Sequence, residues 1–302
     1  MVSRIATGFQ NQQALDNLNK NNVAIAKTTF QVTTGFKDNS LQGFSGTSSQ
    51  LLNLYDLQAN AESYMTNITT ASNRLKSTES SLQGMTDLLQ EAAQLYTLGR
   101  TQQSASTRAS LAPKAEALTN TFYNLFKTKF DGRYIFSGSN GAEPPTNATA
   151  AAAAYPGDPV PTTWYIGDST LPSIITGSDL TQEYGVTGNE EGIAHLKAGL
   201  EALWYGLKNN STTEIDSSIA ALQSAQTEIS SLIGNVGGQI SSMEQLNTRH
   251  DKAITFMLEQ SDNLDKVDVA EAITQFSQQQ AVLEASMSII AQTSRLSLLD
   301  FL

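Results

Sequence analysis

The chain has 302 residues, no cysteine, two histidines, and 29 acidic against 18 basic side chains, a formal net charge of −11. These numbers exclude disulfides, thiolate nucleophiles and Cys- or His-clustered metal sites, and they leave no basic surface for the phosphates of nucleic acid or an anionic membrane. Charged residues make up 16%, below the roughly 25% of an average soluble protein, and Gln, Asn, Ser and Thr fill the polar faces instead.

From the start of the chain, Leu15, Leu18, Asn22, Ile25, Thr29 and Val32 keep a heptad, so residues 1–40 read as one helix, followed by a hinge from Gly35 to Gly46. Steps of four and three then run without a slip from Leu54 through Gln58, Ala61, Met65, Ile68, Ser72 and Leu75 to Tyr96. A second run, Leu111, Ala115, Leu118, Phe122 and Leu125, has the same rhythm, with Pro113 near its start. Together these predict a helical arm over 45–130.

Six of the seven prolines lie between Pro144 and Pro172. Proline costs a helix interior about 3 kcal/mol, so residues 131–189 read as a β-rich insert. Strands are expected over Arg133 to Phe136, Thr163 to Ile166 and Ile174-Ile175, with Ala148 to Ala154 as a connector. The helical pattern resumes at 190 through Ile193, Leu196, Leu200, Leu203 and Leu207. It continues from Ile215 to Leu264 with fifteen positions in register, despite glycines at 234, 237 and 238. A helix over 214–265 would be on the order of 75 Å long at about 1.5 Å per residue.

After a second hinge near Asp265 to Asp268, residues 268–302 repeat the heptad at Val269, Ile273, Phe276, Gln280, Leu283, Met287 and Ile290, then end in Leu298 and Phe301. The predicted fold class is mainly α: a long coiled-coil-like rod from arms 45–130 and 190–265, with a small β-rich outer domain at 131–189. The terminal helices, 1–40 and 268–302, carry too few apolar side chains to offset the entropy of ordering themselves. They are expected to be disordered in the free monomer and to need a partner, either each other or another subunit.

No catalytic, cofactor or metal constellation rises above background. Glu190, Glu191 and His195 could share a helical face, but acids at a helix N-terminus have a simpler reading in the helix dipole. His250 falls on the stripe as a polar coiled-coil position. Asn67, Asn147 and Asn210 begin Asn-x-Ser/Thr triplets, for which chance is the better explanation. Trp164, Tyr165 and Tyr184 could form a carbohydrate platform, though packing of a small β domain explains them more simply. No apolar run reaches the ~20 residues of a membrane helix, and Met1 to Ile5 lacks the apolar region of a secretory signal. No membrane partner and no cleaved signal are expected.

Phe130-Asp131-Gly132-Arg133-Tyr134-Ile135-Phe136-Ser137-Gly138, the turn Gln31 to Lys37, and the tail Leu296-Ser297-Leu298-Leu299-Asp300-Phe301-Leu302 resemble the bacterial flagellin and hook-associated superfamily, within it the hook–filament junction members. The resemblance covers about 1–138 and 190–302. It implies a structural, non-enzymatic subunit of an extracellular flagellum, exported without a cleaved signal. It also implies self-association in a ring or tube, neighbouring hook-associated and flagellin subunits, and an export chaperone on the C-terminal helix. The packing residues would be Leu15, Leu18, Ile25 and Val32 on one terminal helix, and Ile273, Phe276, Leu283, Met287, Ile290, Leu298 and Phe301 on the other. Alternatives are a filament-forming flagellin with a short outer domain and a surface-exposed ligand-binding homologue.

Overall fold

A computed structural model describes residues 2–44, 46–101, 104–147 and 164–299, without the side chains of 2–8, 10, 11, 41 and 293–299. The chain is mainly α, with two short hairpins among the described residues. It forms two compact units, residues 1–60 with 253–302, and residues 61–252. Helices α2 (Ser48–Thr101) and α5 (Thr212–Asp265) contribute to both.

Within 61–252, α2 and α5 run antiparallel, as cross-links at successive levels show. Asn247 donates to Thr69 at 3.2 Å, Lys76 pairs with Glu244 at 3.5 Å, and Arg100 pairs with Asp216 at 2.7 Å. The stripe positions Ile68, Ser72, Leu75, Leu82 and Leu89 face Ile215, Leu222, Ile229, Val236, Ile240 and Met243 as buried side chains of one core.

The expected arms each break into two helices. Ser104, in extended conformation, opens α3 (Ala105–Phe126), and Pro113 lies inside that helix. On the other arm α4 (Glu191–Asn209) ends at Asn210, which takes the left-handed conformation at φ 55 and is held by Arg108. Helix α4 is buried on most sides because Gly192, Gly199 and Gly206 recur every seven residues. A Cβ at each would stand 2.8 Å from Glu228, Leu222 and Ile215 of α5 respectively, so only glycine permits this backbone approach.

The opposite side of α4 packs on α3. Between these helices Lys197 donates to Glu201 at 2.7 Å and Tyr123 donates to the same carboxylate at 2.8 Å, all three buried. Burial, reinforced by the Glu201 charge, pushes the Tyr123 phenol well above its usual range. Each Glu201 carboxylate oxygen accepts a hydrogen bond, which helps a buried charge pair to be tolerated.

Asp131 and Gly132, both at positive φ, make the two-residue turn between β1 (Lys129–Phe130) and β2 (Arg133–Tyr134). This Asp-Gly turn matches strand twist, which gives a physical reason for the Phe130 to Tyr134 motif. A second hairpin joins β3 (Ser173–Gly177) to β4 (Leu180–Glu183). The insert is not packed on itself alone: Ile135, Phe136, Tyr184 and Val186 enter the helical core, and Arg74 donates to the Tyr134 carbonyl at 3.1 Å.

The strand expected over Thr163 to Ile166 does not form at 164–166, and Thr163 lies outside the described residues, as does the connector Ala148 to Ala154. A strand sends neighbouring side chains to opposite faces. Here Trp164 and Tyr165 both pack against the helical core, with Trp164 4.9 Å from the Phe126 ring.

In the other unit, α1 (Val2–Thr34) closes on Gly35, whose φ of +77 allows its N–H to bond Gln31 at 2.8 Å. A short 3-10 turn (Leu41–Phe44) leads to α2. Helix α6 (Val269–Leu299) is capped by Asp268, whose carboxylate accepts the N–H groups of Ala270 and Glu271.

Candidate subunit-packing surface

The two segments expected to be hinges are tied together. Lys37 N–H donates to Asp265 at 2.7 Å, Val267 N–H donates to Gly35 at 2.9 Å, and Phe36 pairs with Lys266 as an antiparallel bridge. Helix ends leave carbonyls without partners, and here they find them locally: the Lys37 ammonium donates to Asn263 and Leu264 at 2.9 and 2.8 Å. Tyr55 donates to the buried Asp265 carboxylate at 2.6 Å, a bond that pushes the phenol up to about 12.

This clasp sets α1 and α6 side by side and antiparallel. The contacts that close the pair are small and polar. Thr28 donates to the Gln279 side chain at 2.7 Å, Asn21 donates to the Gln279 carbonyl at 3.0 Å, and Thr28 and Ala272 are the fully buried residues of the two helices among those described.

The larger apolar groups are left partly or wholly open. Of the sequence-predicted packing residues, Leu18, Ile25, Val32, Phe276, Leu283 and Ile290 are half-buried, while Leu15, Ile273 and Met287 are 56%, 48% and 53% exposed. Phe9, Val23, Val282 and Ile289 are also exposed. The side chain of Leu298 and the whole of Phe301 lie outside the described residues. These side chains leave exposed apolar surface on helices that pair through small and polar residues.

The other sequence candidates resolve differently. Glu190 and Glu191 do not pair with His195, which donates from Nδ1 to Glu228 on α5 at 2.7 Å. Burial, with the Glu191 charge beside it, raises the Glu190 carboxyl. His250 donates from Nε2 to the Thr176 carbonyl at 2.8 Å and stands 5.6 Å from the Tyr64 ring, which fixes the second hairpin to the helices. No group of three His, Asp or Glu able to hold a metal occurs among the described residues. No described helix is long and apolar enough to cross a membrane.

The sequence reading missed the clasp partners Lys37, Tyr55 and Asp265, and the Gln279 link. It placed only the hinges themselves, from Gly35 to Gly46 and near Asp265 to Asp268. Long-range polar pairs leave no periodic mark on a sequence.

Residues 5–141 match the family model of the bacterial flagellin N-terminal helical region. The chain is similar to bacterial flagellin over this N-terminal region. It is similar to flagellar hook-associated protein 3 of Salmonella typhimurium strain LT2, 24% identical over 314 residues that cover 98% of each chain. Among solved structures, a flagellar hook-associated protein from Vibrio parahaemolyticus superimposes with a TM-score of 0.62 at 18% identity, over 72% of this chain and 96% of that one. Bacillus cereus FlgL does so with a TM-score of 0.58 at 18% identity, over 70% and 99%. These likenesses extend to the fold.

Proposed function

We propose that the chain is a structural subunit of the bacterial flagellum, joining hook to filament by helix packing between subunits. The observation that carries this reading is the α1–α6 pair, closed by Thr28, Ala272 and Gln279 while Leu15, Val23, Ile273, Val282 and Met287 remain exposed. A helix pair meant to be complete within one chain would bury those side chains, each worth roughly 1.5–3 kcal/mol. Left open, they bury against the same helices of neighbouring copies, forming a ring or short tube with flagellin on one side and a hook-associated subunit on the other. The full-length likeness to a hook-associated protein 3 supports the position in that stack.

The terminal helices order fully only on assembly. Before that the chain travels through the flagellar export channel to the cell exterior, its C-terminal helix held by an export chaperone and no signal being cleaved. No chemical step enters this role.

Deleting the gene tests the reading directly. Hooks are expected to remain while flagellin is shed into the medium. Filaments that persist without this chain would overturn it, and micrometre-long filaments grown from the purified chain alone would instead identify a flagellin.

A further inference from the structure

Within residues 61–252 a cleft of about 520 Å³ opens at the start of α4, walled by Trp164 and Tyr165 and edged by Ser169, Asn189, Glu191 and His195. Its size falls in the range typical of small-molecule sites.

The aromatic wall is fixed in advance. The Tyr165 hydroxyl lies 2.7 Å from the Asp168 carbonyl and 3.1 Å from that of Phe136. Gly188 makes room for the ring, since a Cβ there would stand 2.6 Å from both Tyr165 and Phe126. Trp164 is packed on Phe126 yet only half-buried. Both rings therefore present apolar surface without a rotameric cost at binding.

The polar edge has unused capacity. His195 spends Nδ1 on Glu228, leaving Nε2 without a partner among the described residues. Asn189 accepts the Thr187 hydroxyl through Oδ1, leaving its amide hydrogens. The Glu191 carboxylate makes no hydrogen bond among the described residues. The edge thus offers donors and acceptors within one small perimeter, and no lysine or arginine lines it.

Two carboxylates, Glu191 and the Glu228 behind His195, disfavour phosphate or any acidic ligand. A fixed aromatic face beside mixed donors and acceptors instead suits a neutral ring bearing several hydroxyls, whose C–H face stacks while its hydroxyls give and take hydrogen bonds. We propose that this cleft binds a neutral sugar, with a pyranose ring against Trp164 and hydroxyls bonded to Asn189, Glu191 and His195. The site is separate from the packing surface of α1 and α6, so it adds surface recognition to a structural subunit.

Trp164 supplies its own reporter. The chain has two tryptophans, so Trp204→Phe leaves Trp164 as the single emitter. In that background, methyl glucoside, methyl galactoside, methyl mannoside and N-acetylglucosamine are titrated, with glucuronate and tetramethylammonium as charged controls. At least one neutral sugar is expected to shift the emission saturably, and neither control. Asn189→Ala and Glu191→Gln, which leave the aromatic packing intact, each weaken that sugar by about tenfold, the scale of one lost hydrogen bond. Failure of all four neutral sugars overturns the proposal, as does equal binding by the Asn189→Ala/Glu191→Gln double variant with an unchanged melting curve. Saturation by either control also overturns it.

Discussion

Residues 61–252 and the unit built from 1–60 and 253–302 are both made of long amphipathic helices, yet they treat apolar side chains in opposite ways. In the first, Phe122, Phe126, Leu75, Leu82, Leu196, Leu200 and Leu203 are fully buried around a shared core. In the second, the described residues that are fully buried are Thr28, Leu51, Ser261, Asp265 and Ala272, while Phe9, Leu15, Val23, Phe256, Ile273 and Met287 stand exposed. The difference follows from how the helices meet. Four helical segments surround a volume in the first and close it, whereas α1 and α6 of the second pair along one seam and leave much of each stripe outside. On the proposed reading, stability resides in the first unit and assembly in the second.

That division can be broken most forcefully in the closed core. Phe122→Ala removes a ring stacked on Phe126 and is expected to cost about 3–5 kcal/mol, read in denaturant unfolding of the monomer. Lys197→Ala strands the Glu201 carboxylate in the same interior and is expected to cost about 3 kcal/mol, whereas replacing Lys197 and Glu201 together by leucines costs less.

The open unit gives the converse. Phe276→Asp, or removal of 269–302, is expected to abolish assembly and motility with little change in the monomer melting curve. A large drop in melting temperature would show that α6 is already part of the stable core, and the comparison would fail.

Smaller effects probe the clasp and the free face of α5. Tyr55→Phe removes the bond to Asp265 and is expected to cost about 1 kcal/mol, seen as faster amide exchange at Lys37 and Val267. Since folding raises the Tyr55 phenol from 10.0 to about 12, the folded state holds that proton more tightly. The contribution is complete below pH 10 and fades as pH rises through about 12, and Tyr55→Phe should flatten that alkaline loss. Last, a Cβ at Gly238 meets nothing within 4 Å, so Gly238→Ala is expected to stabilise the monomer by about 0.5–1 kcal/mol in a melting experiment.

Much of the architecture was legible in the order of residues. The heptads from Leu54 to Tyr96 and from Ile215 to Leu264 mark inward-facing positions, each buried or half-buried in the structure. They are legible because burial along a helix imposes a period, and a period survives in one dimension. The proline cluster likewise located the non-helical insert. The glycines at 192, 199 and 206 carried a readable signal that went unused, a seven-residue repeat that brings α4 onto the backbone of α5.

The sequence by itself determined where helices run, which faces are apolar, and that no cysteine or histidine cluster supports metal or thiol chemistry. Only the tertiary structure decided which apolar faces are consumed. Leu75 and Ile273 sit on similar stripes, but Leu75 is fully buried in a core that draws on α2, α3, α4 and α5, whereas Ile273 stays 48% exposed. Tertiary structure also chose the partners of the isolated polar groups: His195 with Glu228, Tyr123 with Glu201, Lys37 with the end of α5. Hydrogen bonds between residues far apart in the chain are set by the meeting of surfaces, and no local pattern records where two surfaces will meet.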